Sequence, residues 1–415
     1  MKKYDSYKDS GIDWIGQIPS HWKVIPFKRA MIINNGCDYK HIQVDEGYPV
    51  LGSGGQFAYA NEWLYDGEAL LLGRKGTIDK PMYYNGKFWT VDTMFYSVPL
   101  KNAHCKYMFY QSLGFPFDYY STATALPSMA ASDLENNPVA LPPLSEQKKI
   151  AEYLDRKCSE IDVAVAKVDK EVELLDELKQ SEISKAVTKG LSPNVSFKPS
   201  GFDWIGQIPN HWKITRLKNN LDIFGRIGFR GYTNEDLVEE GEGAITLSPS
   251  NIIDGKIDYS KCSYLSWKKY YESPEIMIKE GDVIFVKTAS VGKSALITHL
   301  PIETTLNPQI VVFKNLKIEN RYLDYLLKTP LIDSQVKLSV GGSTILTITQ
   351  EAIGSYRIPT PPISEQKEIA DYLDRKCAEI NSLKEKLKQK KEKLQELRQS
   401  LISEVVTGKR CVINS

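Results

Sequence analysis

The sequence has little of what usually announces a chemistry. Its six cysteines, at 37, 105, 158, 262, 377 and 411, form no C-x-x-C pair, and none of the five histidines falls near them at ligand spacing. The common structural zinc patterns are thereby excluded, and reduced thiols are expected. No apolar run is long enough to span a bilayer, and the opening "MKKYDSYKDSG" has no apolar core of a secretory signal, so a cytoplasmic protein with no membrane partner is expected. Net charge is also nearly absent, at +1. A basic excess often marks a nucleic-acid binder, so any such contact here has to come from local patches on a mixed surface.

Catalytic motifs are missing as well. "SVGKS" resembles the tail of a phosphate-binding loop, but Lys287 stands where the first glycine is needed. "LGSGG" (51–55) lacks the third glycine of a dinucleotide fingerprint and reads as a turn. "NNPV" and "NPQI" fall short of the N-P-P-aromatic motif with which adenine methyltransferases hold a flipped base, and no P-D…E-x-K nuclease pattern occurs.

What the chain does have is itself, twice. "DWIGQIPSHWK" (13–23) returns as "DWIGQIPNHWK" (203–213) with one change in eleven positions, and "PPLSEQKKIAEYLDRKCSEID" (142–162) returns as "PPISEQKEIADYLDRKCAEIN" (361–381) with 16 of 21 identical. The offsets are 190 and 219, so the intervening segment is 29 residues longer in the second half. At 415 residues two domains are the default. The repeats divide the chain into a first variable domain with its opening motif (1–141), a first conserved helix (142–190), a second variable domain with its motif (191–360) and a second helix (361–409).

Each helix follows Pro-Pro, with Ser145 or Ser364 as candidate N-cap and Glu146 or Glu365 in the acidic first turn. Leu154, Cys158, Ile161, Val165, Val168, Val172 and Leu175 alternate spacings of four and three, a heptad seam. In the second copy Leu373, Cys377, Ile380, Leu383, Leu387, Leu394, Leu397 and Leu401 continue it, interrupted at Lys390. The helices are expected to pair through Leu154, Ile161, Val168 and Leu175 against Leu373, Ile380, Leu387 and Leu394. Only about eleven residues separate the first helix from the second opening motif, a reach of no more than ~40 Å. A parallel pair would strain that link, so an antiparallel coiled coil with pseudo-two-fold symmetry is expected.

The variable domains read as α+β. "PMYYNGKFWTV" carries Asn85-Gly86 between β-prone flanks, a two-residue hairpin signal. "DGEALLLGRKGTIDK" (66–80) and "EGDVIFVKTASVGKS" (280–294) share a plan of turn, apolar strand and basic loop, and each domain closes on a Ser/Thr-rich stretch, "YSTATALPSM" or "GGSTILTITQ". Trp14, Trp22, Trp204 and Trp212 belong to the repeated parts, and packing between domain and helix is expected of them.

The "PPLSEQKKIAEYLD" and "PPISEQKEIADYLD" openings, the "IPSHW" and "IPNHW" motifs, and "GRIGFRG" with "NPQIVVFK" resemble the specificity subunit of type I restriction-modification systems, over nearly the whole chain. That resemblance implies two target-recognition domains separated by two conserved antiparallel helices, each domain reading one half of a split site in double-stranded DNA. It implies two docked methyltransferase subunits, which hold AdoMet, and restriction subunits, which use ATP and Mg; this chain would hold no cofactor or metal and catalyse nothing. Candidate DNA contacts are the basic and hydroxyl residues of the divergent loops: Arg74, Lys75, Thr77 and Lys80 in the first domain, and Arg226, Arg230, Lys287, Thr288 and Lys293 in the second. Arginine forks onto guanine, whereas lysine and hydroxyls more often hold phosphate. Ser121, Thr122, Ser343 and Thr344 are weaker candidates, since such residues are often caps. The competing readings are a coiled-coil adaptor that binds only proteins and a degenerate fused methyltransferase or nuclease.

Overall fold

The structure, a computed structural model, describes residues 3–121, 127–226, 228, 231–340 and 346–413. It has two compact units, Met1–Lys170 with Leu387–Ser415, and Glu171–Lys386. These cut across the four segments drawn from the repeats, because each unit takes part of both long helices.

Those helices run Leu144–Lys189 and Ile363–Val406. The expectation of Ser145 and Ser364 as N-caps is wrong by two residues: each helix begins one residue before its serine. The Pro143 carbonyl accepts from the amides of Glu146 (2.9 Å) and Gln147 (3.0 Å), and the Pro362 carbonyl from Gln366 (3.0 Å). The second proline of each pair therefore occupies the cap position, leaving the serines in the first turn.

The helices pack as the heptad predicts over much of their length. Leu154, Cys158, Ile161 and Val168 are buried in the first unit, and Leu373, Cys377 and Ile380 in the second. Leu175, Leu387 and Leu394 are half-buried. Leu383 and Leu397, expected on the seam, are about half exposed (49% and 55%). Keeping spacings of four and three from Ile380 puts Lys384, Leu387, Lys391, Leu394, Arg398 and Leu401 on the stripe, so the seam carries cations where the sequence reading placed leucines and a break at Lys390. Each cation meets an aspartate of the other helix: Lys384 with Asp176 (2.6 Å) in the second unit, Lys391 with Asp169 (2.6 Å) and Arg398 with Asp162 (3.1 Å) in the first. Residue numbers rise on one helix as they fall on the other, so the pair is antiparallel.

Each variable domain enters and leaves on neighbouring strands. Lys23–Pro26 pairs antiparallel with Pro138–Leu141 just before the first helix, and Lys213–Arg216 with Arg357–Thr360 just before the second. Between them the first unit builds a seven-stranded sheet in the order Met31–Asn35, Met94–Pro99, Tyr65–Gly73, Met82–Thr90, Tyr48–Gly52, Gly55–Ala60, Gln43–Val44. The run "ALLL" is apolar on successive residues because both faces are covered: Leu70 and Leu72 join the main core with helix Cys105–Ser112, while Ala69 and Leu71 pack with Phe88 and Met94. The predicted hairpin at Asn85-Gly86 does not form. Those residues sit mid-strand, opposite Glu68 and Gly67, where long-range pairing and the packing of Phe88 on Tyr65, Tyr84 and Tyr96 override the local turn signal. "LGSGG" is a turn as expected, Gly52 pairing with Gly55.

The second unit has two four-stranded sheets, one of Asp222–Gly225, Ile310–Lys314, Val283–Val286 and Ser294–Leu296, the other of Leu237–Val238, Ser263–Ser266, Gly243–Leu247 and Thr304–Leu306, beside shorter two-stranded pairs. The first again alternates: Val283, Phe285, Val311 and Phe313 face one core with helices Asn320–Leu327 and Pro330–Ser339, and Ile284, Val286, Ile310 and Val312 face another.

The seam gives a direct test. Val168 is 1% exposed and Val163 67%, so Val168→Asp should lower the free energy of unfolding by about 3 kcal/mol or more, and Val163→Asp should change it by no more than about 0.5 kcal/mol. Denaturant unfolding of the two variants beside the parent measures the difference.

Candidate nucleic-acid interface

The repeated motifs meet at a carboxylate. Glu146, 5% exposed, accepts from Tyr4 Oη (2.6 Å) and Trp22 Nε1 (3.0 Å) on Oε1 and from His21 Nε2 (2.9 Å) on Oε2. In the second unit Glu365 Oε2 takes His211 Nε2 (2.8 Å) and Trp212 Nε1 (3.0 Å). Burial, then the Glu146 carboxylate, holds the Tyr4 phenol protonated far above its ordinary range. Next along each helix, Gln147 accepts from the His104 amide and donates to the carbonyls of Asn102 and Pro142, while Gln366 accepts from the Glu319 amide and donates to Pro361. Tyr107 donates to Ala140 and to Val406 at the end of the second helix; Tyr322 donates to Pro359 and to Val187 near the end of the first. The sequence reading missed these contacts. Their signal was available in the recurrence of His-Trp and Glu-Gln in both copies.

Trp22 and Trp212 are fully buried at these contacts, as expected, but Trp14 and Trp204 remain 46% and 40% exposed and do not pack between domain and helix. The hydrophobic anchor of their turns is the next residue, Ile15 or Ile205.

On this frame each domain presents a basic loop, and these two loops are built alike. In the first, the amide of Gly76 donates to Pro127 (2.9 Å) and that of Met129 to Arg74 (3.0 Å). In the second, Ala289 donates to Leu346 (2.9 Å) and Ile348 to Lys287 (2.8 Å). Lys75 is thus bridged to Ser128 and Thr288 to Thr347, which lays the basic loop beside residues 127–129 in the first domain and 346–348 in the second. The turn demands a left-handed residue. Gly76 supplies it at φ 82°, and Ala289 holds the same place at φ 66°, a conformation that costs an alanine roughly 1–2 kcal/mol.

Of the expected contacts, Lys75, Lys80 and Lys293 are exposed and Arg74, Thr77, Lys287 and Thr288 half-buried. No ion pair among the described residues holds Lys75, Lys80, Lys287 or Lys293, in contrast to the paired cations of the helices. The Arg74 guanidinium lies 5.7 Å from the Phe95 ring centroid, and Thr288 Oγ1 is 3.0 Å from Thr347 Oγ1. Free amines beside hydroxyls on a rigid turn suit phosphate oxygens and base edges. Arg226 departs from the expectation of an exposed reader. It is 5% exposed, with Nε donating to the Leu306 carbonyl and Nη2 to Thr305 Oγ1. The fold uses this guanidinium to satisfy strand-end acceptors, so it is not presented to a ligand. Arg230, Thr122, Ser343 and Thr344 lie outside the described residues. Ser121 closes the short helix Phe117–Tyr120 at its C-terminal end.

Among the described residues no cluster of His, Cys, Asp and Glu is placed to hold a metal, and no helix is long and apolar enough to cross a membrane. Burial pushes the Cys105 thiol up to about 12 and raises Cys158 and Cys377, so these thiols are poor nucleophiles.

The profile of the family described as "Type I restriction modification DNA specificity domain" matches residues 22–173 and 228–393. The chain belongs to this family. It is 26% identical over 363 residues to the type I restriction enzyme MjaVIII specificity subunit of Methanocaldococcus jannaschii, covering 85% of this chain and 79% of that one. To the EcoBI specificity subunit of Escherichia coli it is 20% identical over 399 residues, covering 92% and 78%. Among solved structures, a chain from work on complex assembly and conformational transition of the type I R-M system superposes with a TM-score of 0.72 at 16% identity, covering 94% of this chain and 98% of that one. The HsdS subunit from Thermoanaerobacter tengcongensis gives 0.52 at 14% identity, covering 95% and 98%. These structures share the fold of this chain.

Two substitutions test the frame and the loop. Glu146→Ala strands the fully buried Trp22 donor and removes the acceptor of the half-buried Tyr4, and should cost about 3 kcal/mol of stability; Glu365→Ala, at a more exposed carboxylate with fewer donors, should cost less in the same denaturant titration. Ala289→Gly relieves the left-handed alanine against a smaller loss of unfolded-chain restriction, and should raise stability by about 0.5–1 kcal/mol, read as a higher thermal midpoint.

Proposed function

We propose that this chain is the sequence-specific DNA-binding subunit of a type I restriction-modification complex. Residues 1–141 and 191–360 act as two target-recognition domains that read the two halves of a bipartite site in double-stranded DNA. The long helices dock two methyltransferase subunits, which bring AdoMet, and restriction subunits with ATP and Mg can join them. The chain itself is the non-catalytic member: it selects the sequence and its partners do the chemistry.

One observation carries this reading. The two domains hold the same bridged loop on the same frame but fill it differently, Arg74-Lys75-Gly76-Thr77 in one and Lys287-Thr288-Ala289-Ser290 in the other. A surface that presents unlike side chains on like backbones is what two different half-sites require, while the constant frame is what two copies of one partner require. Lys75, Lys80 and Lys293 are assigned to phosphate, and Arg74, Thr77, Lys287 and Thr288 to positions nearer the bases.

The test exchanges the segment between the closing strands, residues 27–137, for the equivalent segment of a relative. Mapping of methylated adenines in a host carrying the complex should show one half of the specified sequence changed and the other intact. A change in both halves, or in neither, would defeat the independent-reader model.

A further inference from the structure

The ion pairs between the long helices are not distributed as the repeat would have them. The two helices align at an offset of 219, so Asp162 corresponds to Asn381, Val165 to Lys384, Asp169 to Lys388, Val172 to Lys391, Asp176 to Gln395 and Lys179 to Arg398. Only one rung survives that correspondence: Arg398 with Asp162 in the first unit is matched by Lys179 Nζ on Asn381 Oδ1 (3.1 Å) in the second. The counterparts of the Lys391–Asp169 and Lys384–Asp176 rungs are Val172 with Lys388 and Val165 with Gln395, which form no charge pair. Acid has accumulated on one helix and base on the other: residues 162–181 hold six acidic and three basic residues, residues 381–400 three acidic and seven basic. The seam is apolar in both helices at Leu154, Cys158, Ile161, Val168 and Leu175 and their counterparts Leu373, Cys377, Ile380, Leu387 and Leu394, but Val165 and Val172 of the first helix give way to Lys384 and Lys391 in the second.

A shared seam creates a choice of partner. Two chains could pair first helix with first, or second with second, on the same antiparallel register. In a second–second pair that register sets Lys391 of one copy against Lys388 of the other, twice, and leaves Lys384 facing Gln395. In a first–first pair Asp169 and Asp176 face valines and lose their cations. Exposed ion pairs add little to stability taken singly, but two repulsive contacts in the second–second pair, with attraction lost at the remaining rungs of either like pair, discriminate between partners that the leucines cannot tell apart.

We infer that the ladder of Lys384, Lys391 and Arg398 against Asp176, Asp169 and Asp162 selects the pairing of a first helix with a second over pairing of like helices from two chains. It thereby disfavours assemblies of two chains that would carry two copies of the same domain. The consequence for recognition, one reader of each kind per complex, rests on the function proposed above; the pairing rule does not.

The experiment uses the full chain without DNA. In the threefold variant Lys384→Asp, Lys391→Asp and Arg398→Asp, the rungs inside the chain set carboxylate against carboxylate. A second–second pair between copies instead gains two attractive contacts, each between the new carboxylate at position 391 of one copy and Lys388 of the other. Sedimentation velocity over a concentration series should show dimer formation at least about tenfold stronger than in the parent, a difference of about 1.4 kcal/mol. The contrast should shrink in high salt, which screens exposed charges. Adding Asp162→Lys, Asp169→Lys and Asp176→Lys restores every rung with its sign reversed, and the sixfold variant should return to the parent's association state and thermal midpoint. A threefold variant with the parent's association and midpoint would overturn the inference. So would a sixfold variant that fails to recover while a control carrying six charge changes at exposed positions off the seam folds normally. Because no DNA is involved, a failed half-site exchange would refute the recognition function and leave this result standing.

Discussion

Each variable domain of this molecule hangs on a carboxylate in the first turn of a long helix. Glu146 sits in the first turn of its helix, where unbonded amides favour negative charge, and it gathers the Tyr4 phenol together with the histidine and indole of the opening motif. A carboxylate out of water is tolerable only when its lone pairs are filled by well-directed donors. That requirement fixes the His-Trp pair, and through it the path of the chain into the domain. Glu365 repeats the arrangement with two donors. The adjacent glutamines and the buried Tyr107 and Tyr322 then fasten each domain to both helices through backbone carbonyls, which exist whatever the side chains of the variable domain become.

Much of this plan was legible in the sequence. Repetition located the frame, heptad spacing located the helices, and the glycine-acid turn followed by a basic loop located corresponding places in two domains whose sequences otherwise differ. Errors came where a local signal met a long-range one. Asn85-Gly86 has the composition of a hairpin turn, but its strand continues through it because aromatic pairs on either side are worth more than the turn. Leu383 and Leu397 look like core residues, yet strict counting puts Lys384 and Arg398 on the stripe; hydrophobicity alone could not decide because the long stems of lysine and arginine cover apolar surface too. Arg226 reads as a surface cation by residue type, and only the three-dimensional placement of the Thr305 and Leu306 acceptors shows why it is inside.

Ala289 illustrates a different limit. Gly76 marks its turn openly, whereas the alanine conceals the same backbone conformation, and nothing in "KTASVGK" betrays φ 66°. Strain of this kind is sustained when surrounding contacts over-determine the backbone, here the paired bonds from Ala289 to Leu346 and from Ile348 to Lys287. The loop is bonded to the neighbouring segment on both sides of Thr288, at Lys287 and at Ala289.

The neighbouring strands that open and close each domain have a polymer-physical consequence. Between Pro26 and Pro138 lie 111 residues, and between Arg216 and Arg357 lie 140. Because the ends of both insertions are pinned side by side, the entropy of closing them grows only with the logarithm of length, and the 29 additional residues cost the second about 0.2 kcal/mol more than the first. The frame is therefore nearly indifferent to how much chain is threaded through it. Domains of different size, sheet arrangement and surface can occupy the same socket, provided that they return to the strand from which they left.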